Sequence, residues 1–142
     1  MNGSAGALLA AWTMLVAVAA PAPDKPPAAP PAPEAITGAV LQGLDKTTAR
    51  VTKFEARLGQ TVPFGTLRVT VKDCRRHPPE ETPESAAYLE IDEIRPGQAT
   101  AEHLFSGWMF ASSPAVSALE HPVYDVWVLA CSTSSGSSGK SG

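Results

Sequence analysis

A chain of 142 residues with a formal net charge of −3 and two cysteines has room for a single small domain, and its basic residues are too scattered to follow a phosphate backbone. Arg75-Arg76 is the only adjacent basic pair and stands beside an acidic loop, which argues against a nucleic-acid partner. Once the apolar start, a proline-rich stretch and a Ser/Gly-rich end are set aside, residues 36–131 remain for a core, a size at which a covalent staple matters.

Residues 5–20 form an apolar run without a charge. At 1.5 Å per residue it would reach roughly 24 Å, short of the ~30 Å hydrocarbon core of a bilayer. The run ends in Ala17-Val18-Ala19, the small-x-small pattern that signal peptidase cuts, so residues 1–19 are expected to be a signal peptide and Ala20 the mature N-terminus. Lys and Arg are missing from Met1 to Gly6. Two alternatives therefore stand beside cleavage: a start further upstream, or an uncleaved anchor, the one route to a membrane contact. Residues 20–35 follow as a Pro/Ala-rich linker. Its fixed φ angles and missing N–H donors favour an extended spacer, about 40 Å long over PAPDKPPAAPPAP at roughly 3.1 Å per residue.

Beyond the linker the hydrophobic period is two. Ala39–Leu44 and Arg50–Leu58 read as a hairpin around Asp45-Lys46-Thr47-Thr48, with Phe54, Ala56 and Leu58 on one face. After a turn at Gly59-Gln60, Thr66–Cys74 alternates Leu67, Val69 and Val71 against Arg68, Thr70 and Lys72. Cys74 is out of phase with that apolar face, which predicts a bulge near Asp73 or a bridge across the sheet edge. His77–Ser85 (HPPEETPES) is a loop, Ala87–Ile94 a strand, and Arg95-Pro96-Gly97 a turn. His103–Ala111 is an aromatic strand with Leu104, Trp108 and Phe110 in one phase and Gly107 as a candidate bulge. Ser113-Pro114 reads as an N-cap and first helical residue, opening a short helix that Pro122 stops. Val123–Cys131 is apolar on both faces, as in a strand at the middle of a sheet or between two layers. Residues 132–142 form a Ser/Gly-rich tail expected to lack order.

These elements predict an all-β domain over 36–131: an antiparallel sandwich or partly open barrel of about six strands, with one short helical insert. Two cysteines inside an exported domain read as one disulfide, Cys74 to Cys131. The alternative is a pair of free buried thiols in a cytosolic protein.

The blocks HPPEETPESAAYLEI, FSGWMFASSPAVSALEHPVYDVWVLAC and GLDKTTARVTKFEARLGQTVPFGTLRVTVKDC resemble the proteobacterial exported family called domain of unknown function 2155, over essentially all of 38–131. The resemblance implies an extracytoplasmic location and pairing of the two cysteines. It brings no activity, substrate or site residue with it.

Candidate chemistry is thin. Cys74, His77, His121 and Cys131 nominally supply a zinc set, but Cys74-x-x-His77 lacks a matching second pair and a disulfide would remove the thiolates. His121 and Asp125 near Ser112, Ser113 and Ser117 hold the residue types of a hydrolytic triad without a nucleophile elbow. In the tail, Ser137-x-x-Lys140 and Gly139-Lys140-Ser141 are chance matches in biased composition. Glu80, Glu81, Glu84, Glu90, Asp92 and Glu93 read as a solvated acidic stretch, without the ligand spacing of a calcium loop. Of Tyr88, Phe105, Trp108, Phe110, Tyr124 and Trp127, four or five are expected in the core.

The expected role is a periplasmic, non-catalytic accessory or scaffold domain that binds an envelope protein and needs no cofactor. The candidate partner surface combines His77, Pro79, Glu80, Glu81 and Glu84 with Ser112, Ser113, Glu120 and His121, because recognition concentrates on loops held by a rigid scaffold. The alternative is a module that binds a glycan or another small envelope ligand. A hydrolase ranks behind both.

Overall fold

A computed structural model describes residues 2, 3, 6, 10–27, 34–117, 119 and 121–134. Of the expected tail, 132–142, Ser132 and Thr133 are strand instead, paired with Gly38 and Ile36, while 135–142 lie outside the described residues, as does part of the linker, 28–33. The chain divides into two units, 1–31 and 32–142. The described residues of the first form neither helix nor strand, and Trp12, Met14, Leu15, Val16 and Val18 are exposed there. No helix among the described residues is long and apolar enough to cross a membrane.

In the second unit, period-two patterning yields strands throughout: β1 (Ile36–Asp45), β2 (Arg50–Arg57), β3 (Thr61–Phe64), β4 (Leu67–Arg76), β5 (Ser85–Glu93), β6 (Glu102–Phe110) and β7 (Tyr124–Thr133). They form two antiparallel sheets, ordered β2-β1-β7 and β3-β4-β5-β6. One core cluster draws on both: Ala39, Leu41, Ala56, Val126 and Val128 from the first sheet, Leu67, Val69, Val71, Ala87, Leu89, Ile91 and Met109 from the second. The domain is therefore a sandwich and not a barrel. Its seventh strand, β3, escapes the sequence pattern because Pro63 interrupts it; proline is tolerated there because β3 is an edge strand.

Single-residue irregularities interrupt four strands, one of them at Thr37 near the start of β1, and the other three set the phase of the side chains around them. In β4, Val71 pairs with Leu89 and Asp73 with Tyr88, which leaves Lys72 as an extra residue. In β7, Val128 pairs with Leu41 and Ala130 with Val40, which leaves Leu129 extra. Each insertion shifts the alternation by one, so Cys74 and Cys131 both turn to the inner faces. They form a disulfide between the sheets, with Cα atoms 5.8 Å apart. The third bulge lies in β6, where His103 pairs with Asp92 and Phe105 with Ile91, leaving Leu104 extra. Gly107, the expected bulge, instead pairs in register with Leu89.

One end of the sandwich is filled by rings. Phe54 stacks on Phe64 at 5.5 Å, Phe64 meets Tyr124 edge-on at 5.5 Å, and Tyr124 stacks on His121 at 5.3 Å. The close approach of Tyr124 to Gly65, whose φ is +57°, leaves no room for a Cβ and needs the left-handed backbone that glycine adopts freely.

Three further expectations change. The segment after Ser113 is no helix among the described residues: 114–117 are turn, closed by the Val116 N–H donating to the Ser113 carbonyl at 3.1 Å. Only seven residues separate Pro114 from Pro122, too few to offset helix nucleation. β7 is the edge of its sheet and not its centre. Its two apolar faces arise because Val126 and Val128 enter the core while Trp127 lies opposite Gln42 on the outer face. Finally, in β6 the buried residue is Met109, with Phe105 packed beside it; Trp108 points outward and Phe110 is exposed. Of the six aromatics only Phe105 and Tyr124 pack on the core.

Candidate functional site

The two segments expected to form a partner surface are joined by Glu84. Its carboxylate accepts hydrogen bonds from the Ser112 N–H at 3.2 Å, from the Ser112 hydroxyl, and from the Ser85 N–H at 2.9 Å. The Ser112 hydroxyl, with smaller help from the two backbone N–H groups and His77, holds the Glu84 carboxyl below its ordinary range despite some desolvation. The rest of the 77–84 loop is tied by its own backbone. The His77 N–H donates to the Glu84 carbonyl at 3.0 Å, the Glu81 N–H donates to the Pro78 carbonyl at 3.0 Å, and His77 Nδ1 donates to the Thr82 carbonyl at 3.0 Å. Pro79, Glu80 and Glu81 are exposed at the loop tip, Ser112 is exposed, and Ser113 is half-buried. Glu120 lies outside the described residues.

His121 departs from the expected surface because it is buried. Its Nδ1 lies 3.1 Å from the backbone nitrogens of Val123 and Tyr124, which can only donate, so Nδ1 accepts. The ring proton then sits on Nε2 and is donated to Glu93 Oε1 at 3.1 Å. Glu93, buried at the end of β5, also accepts from the Thr66 hydroxyl at 2.8 Å and from Arg95 Nε at 2.8 Å. Burial pushes the Glu93 carboxyl up, but the bonds from Thr66, His121 and Arg95 together outweigh it and hold the group below its ordinary range. Lys46 completes the anchor, donating to the His121 carbonyl at 2.9 Å and pairing with Asp125 at 2.8 Å. His121 is thus a strut that fixes the return of the chain into β7.

This arrangement takes apart both chemical constellations read from sequence. His121 is engaged by Glu93, Asp125 by Lys46 and Ser112 by Glu84, so no triad assembles from them. The two sulfurs of the nominal zinc set are bonded to each other, and no group of three or more metal-ligating side chains occurs among the described residues.

The outward face of the four-stranded sheet carries groups the sequence pattern hid. Tyr88 and Trp108 are cross-strand partners with edge-to-face rings 5.6 Å apart, and the Arg75 guanidinium lies 5.6 Å from the Trp108 ring. Beside them Asp92 Oδ1 lies 2.7 Å from His103 Nδ1, and His103 Nε2 lies 2.7 Å from Ser106 Oγ. Residues 103 and 106 of a regular strand face opposite sides, so their spacing gave no hint of contact; the bulge at Leu104 turns both outward. A shallow depression lined by Thr37, Glu55, Arg57, Gln60, Thr133 and Ser134 includes none of these groups.

Residues 39–131 match the family described as an uncharacterized protein conserved in bacteria, DUF2155. The chain belongs to the DUF2155 family. The stretch that matches holds both cysteines, the Asp92, His103 and Ser106 side chains, and Glu84, Glu93 and His121. A curated relative, the uncharacterized protein RP359 of Rickettsia prowazekii (strain Madrid E), is 25% identical over 95 residues, covering 67% of this DUF2155 chain and 61% of the relative. The match therefore spans less than two thirds of that relative's length. No solved structure matches.

Proposed function

We propose that this DUF2155 chain is an exported accessory domain that docks on a protein of the bacterial envelope through the surface shared by the 77–84 loop and the 111–117 segment. The observation that carries this reading is the Glu84 carboxylate, which fastens two separate connections into one surface through Ser112. That surface presents apolar area to solvent, with Val116 77% exposed and Phe110 39% exposed. Loops held by hydrogen bonds need little ordering on association, which favours recognition there. Export is supported by the signal-like start and by the disulfide, a bond that persists in oxidising compartments. A photoreactive side chain placed at Val116 of the full chain should capture one defined envelope protein in cells. The same group at Val51, on the outer face of the other sheet, should capture none. Equal yields at the two positions, or no product at either, contradict the reading.

A second reading has its own observation: Tyr88 and Trp108 lie on a solvent-facing sheet instead of in the core. Aromatic faces flanked by carboxylate, hydroxyl and imidazole groups suit a sugar ring, so this face is a candidate glycan platform. Tryptophan fluorescence titrated with peptidoglycan fragments should change in the native chain and not in Trp108→Ala. A flat titration removes this reading and leaves the docking surface standing.

A further inference from the structure

The geometry points to Ser106 as a nucleophile for acyl transfer, activated by His103 and Asp92, with small O-acyl esters of sugars as its substrate class. The connectivity carries the acyl chemistry. A carboxylate can only accept, so at 2.7 Å from Asp92 Oδ1 the His103 Nδ1 donates. With one proton on the ring, Nε2 is then the acceptor, and its partner at 2.7 Å is the Ser106 hydroxyl. Carboxylate to Nδ1 and Nε2 to hydroxyl is the order in which an orienting acid, a general base and a nucleophile must stand. The order depends on an inserted residue: without Leu104, His103 would turn to the other side of the sheet from Ser106. Bulges re-aim side chains in this way beside reactive sites.

The reaction balances with water alone. Ser106 Oγ bonds to the ester carbonyl carbon while its proton passes to His103 Nε2. Collapse breaks the carbon–alkoxide bond, and the alkoxide takes that proton. Water then attacks the acyl-serine, gives a proton to Nε2, and the acid leaves as Oγ recovers the proton. The sum is ester plus water to carboxylic acid plus alcohol. Glu90, the cross-strand partner of Ser106, is paired with Lys72 at 3.3 Å, which offsets the carboxylate charge beside the nucleophile. The three residues stand on an open sheet, with His103 56% and Asp92 41% exposed in their side chains. The substrate must therefore lie along the face, which suits an acyl group carried on a polymer. Trp108 follows Ser106 by two residues on the same face, and the choice of a sugar as carrier rests on the glycan reading above.

The test uses the full chain with its disulfide intact. A fluorophosphonate probe should form one adduct, mapped by mass spectrometry to Ser106, and p-nitrophenyl acetate should be hydrolysed above background. Ser106→Ala should remove both signals. His103→Ala and Asp92→Asn should slow the adduct by about 100-fold, the scale of a positioned general base. All three positions are exposed, so the variants should keep the melting temperature of the native chain. If the native chain gains no adduct, or if Ser106→Ala is labelled as fast, the nucleophile does not exist. If Trp108→Ala hydrolyses acetylated xylan as fast as the native chain does, the sugar assignment fails while the acyl chemistry stands.

Discussion

β4 and β6 belong to the same sheet, run for ten and nine residues, and are each broken by one extra residue, yet their bulges accomplish different things. Lys72 in β4 rotates Cys74 inward, where its sulfur meets Cys131 and joins the two sheets. Leu104 in β6 rotates His103 outward, where it bridges Asp92 and Ser106. An insertion that turns a residue into the core can be explained by stability alone. One that assembles a polar chain in water contributes little to stability, so it is the better place to look for chemistry.

The comparison can be strained first where the effect is largest. Replacing both cysteines by alanine removes a cross-link over a sequence separation of 57 and should lower unfolding stability by about 4 kcal/mol on the chain-entropy account. Denaturant midpoints of the oxidised and double-alanine chains measure this. Deleting Leu104 should act chiefly on the chemistry: the Ser106 adduct disappears, while stability falls by a smaller amount, roughly 1–3 kcal/mol. If that deletion leaves labelling intact, the bulge does not build the polar chain.

The buried Glu93–His121 pair comes next. Glu93→Ala leaves the imidazole, the Thr66 hydroxyl and Arg95 without their shared acceptor and should cost about 3 kcal/mol. Its pH signature has a definite sign. The folded Glu93 carboxyl sits below its ordinary value of 4.5, so its contribution is full above that value and is lost as pH falls through the folded one. Chemical denaturation of Glu93→Gln from pH 7 to 3 should show a shallower loss than the native chain. An equal or steeper loss contradicts this account of the group. The smallest effect belongs to the β1–β2 turn. Asp45 caps it by accepting from Thr47 and Thr48, and Ala49 holds φ at +54°. Ala49→Gly should raise stability by about 0.5 kcal/mol, since it relieves a left-handed alanine at some cost in chain entropy.

Much of the sandwich was legible in the residues, for reasons these strands make plain. Leu67, Val69 and Val71 alternate with polar neighbours, so β4 declared its inner face. The cysteine that broke the alternation narrowed the choice to a bulge near Asp73 or a bridge across the sheet edge, and the strand pairing shows the bulge. β6 carried no such mark. Its strand is aromatic in both phases, and nothing in HLFSGWMF tells which phase is buried, so Trp108 read as core and Met109 went unnoticed. The Asp92–His103–Ser106 chain was invisible for the same reason: it needs a change of phase that only cross-strand pairing reveals. The insert after Ser113 misled differently. Its capping residues were those of a helix, but its two ends are tied down by contacts distant in sequence, with Glu84 holding Ser112 and Glu93 holding His121.

The most direct test of the whole account is the redox state of its two sulfurs in the native compartment. Cells lysed into an alkylating agent and digested without reductant should yield the peptide containing Cys74 covalently linked to the one containing Cys131. Recovery of the two as separate, alkylated peptides would contradict the joined sheets and the exported location at the same time.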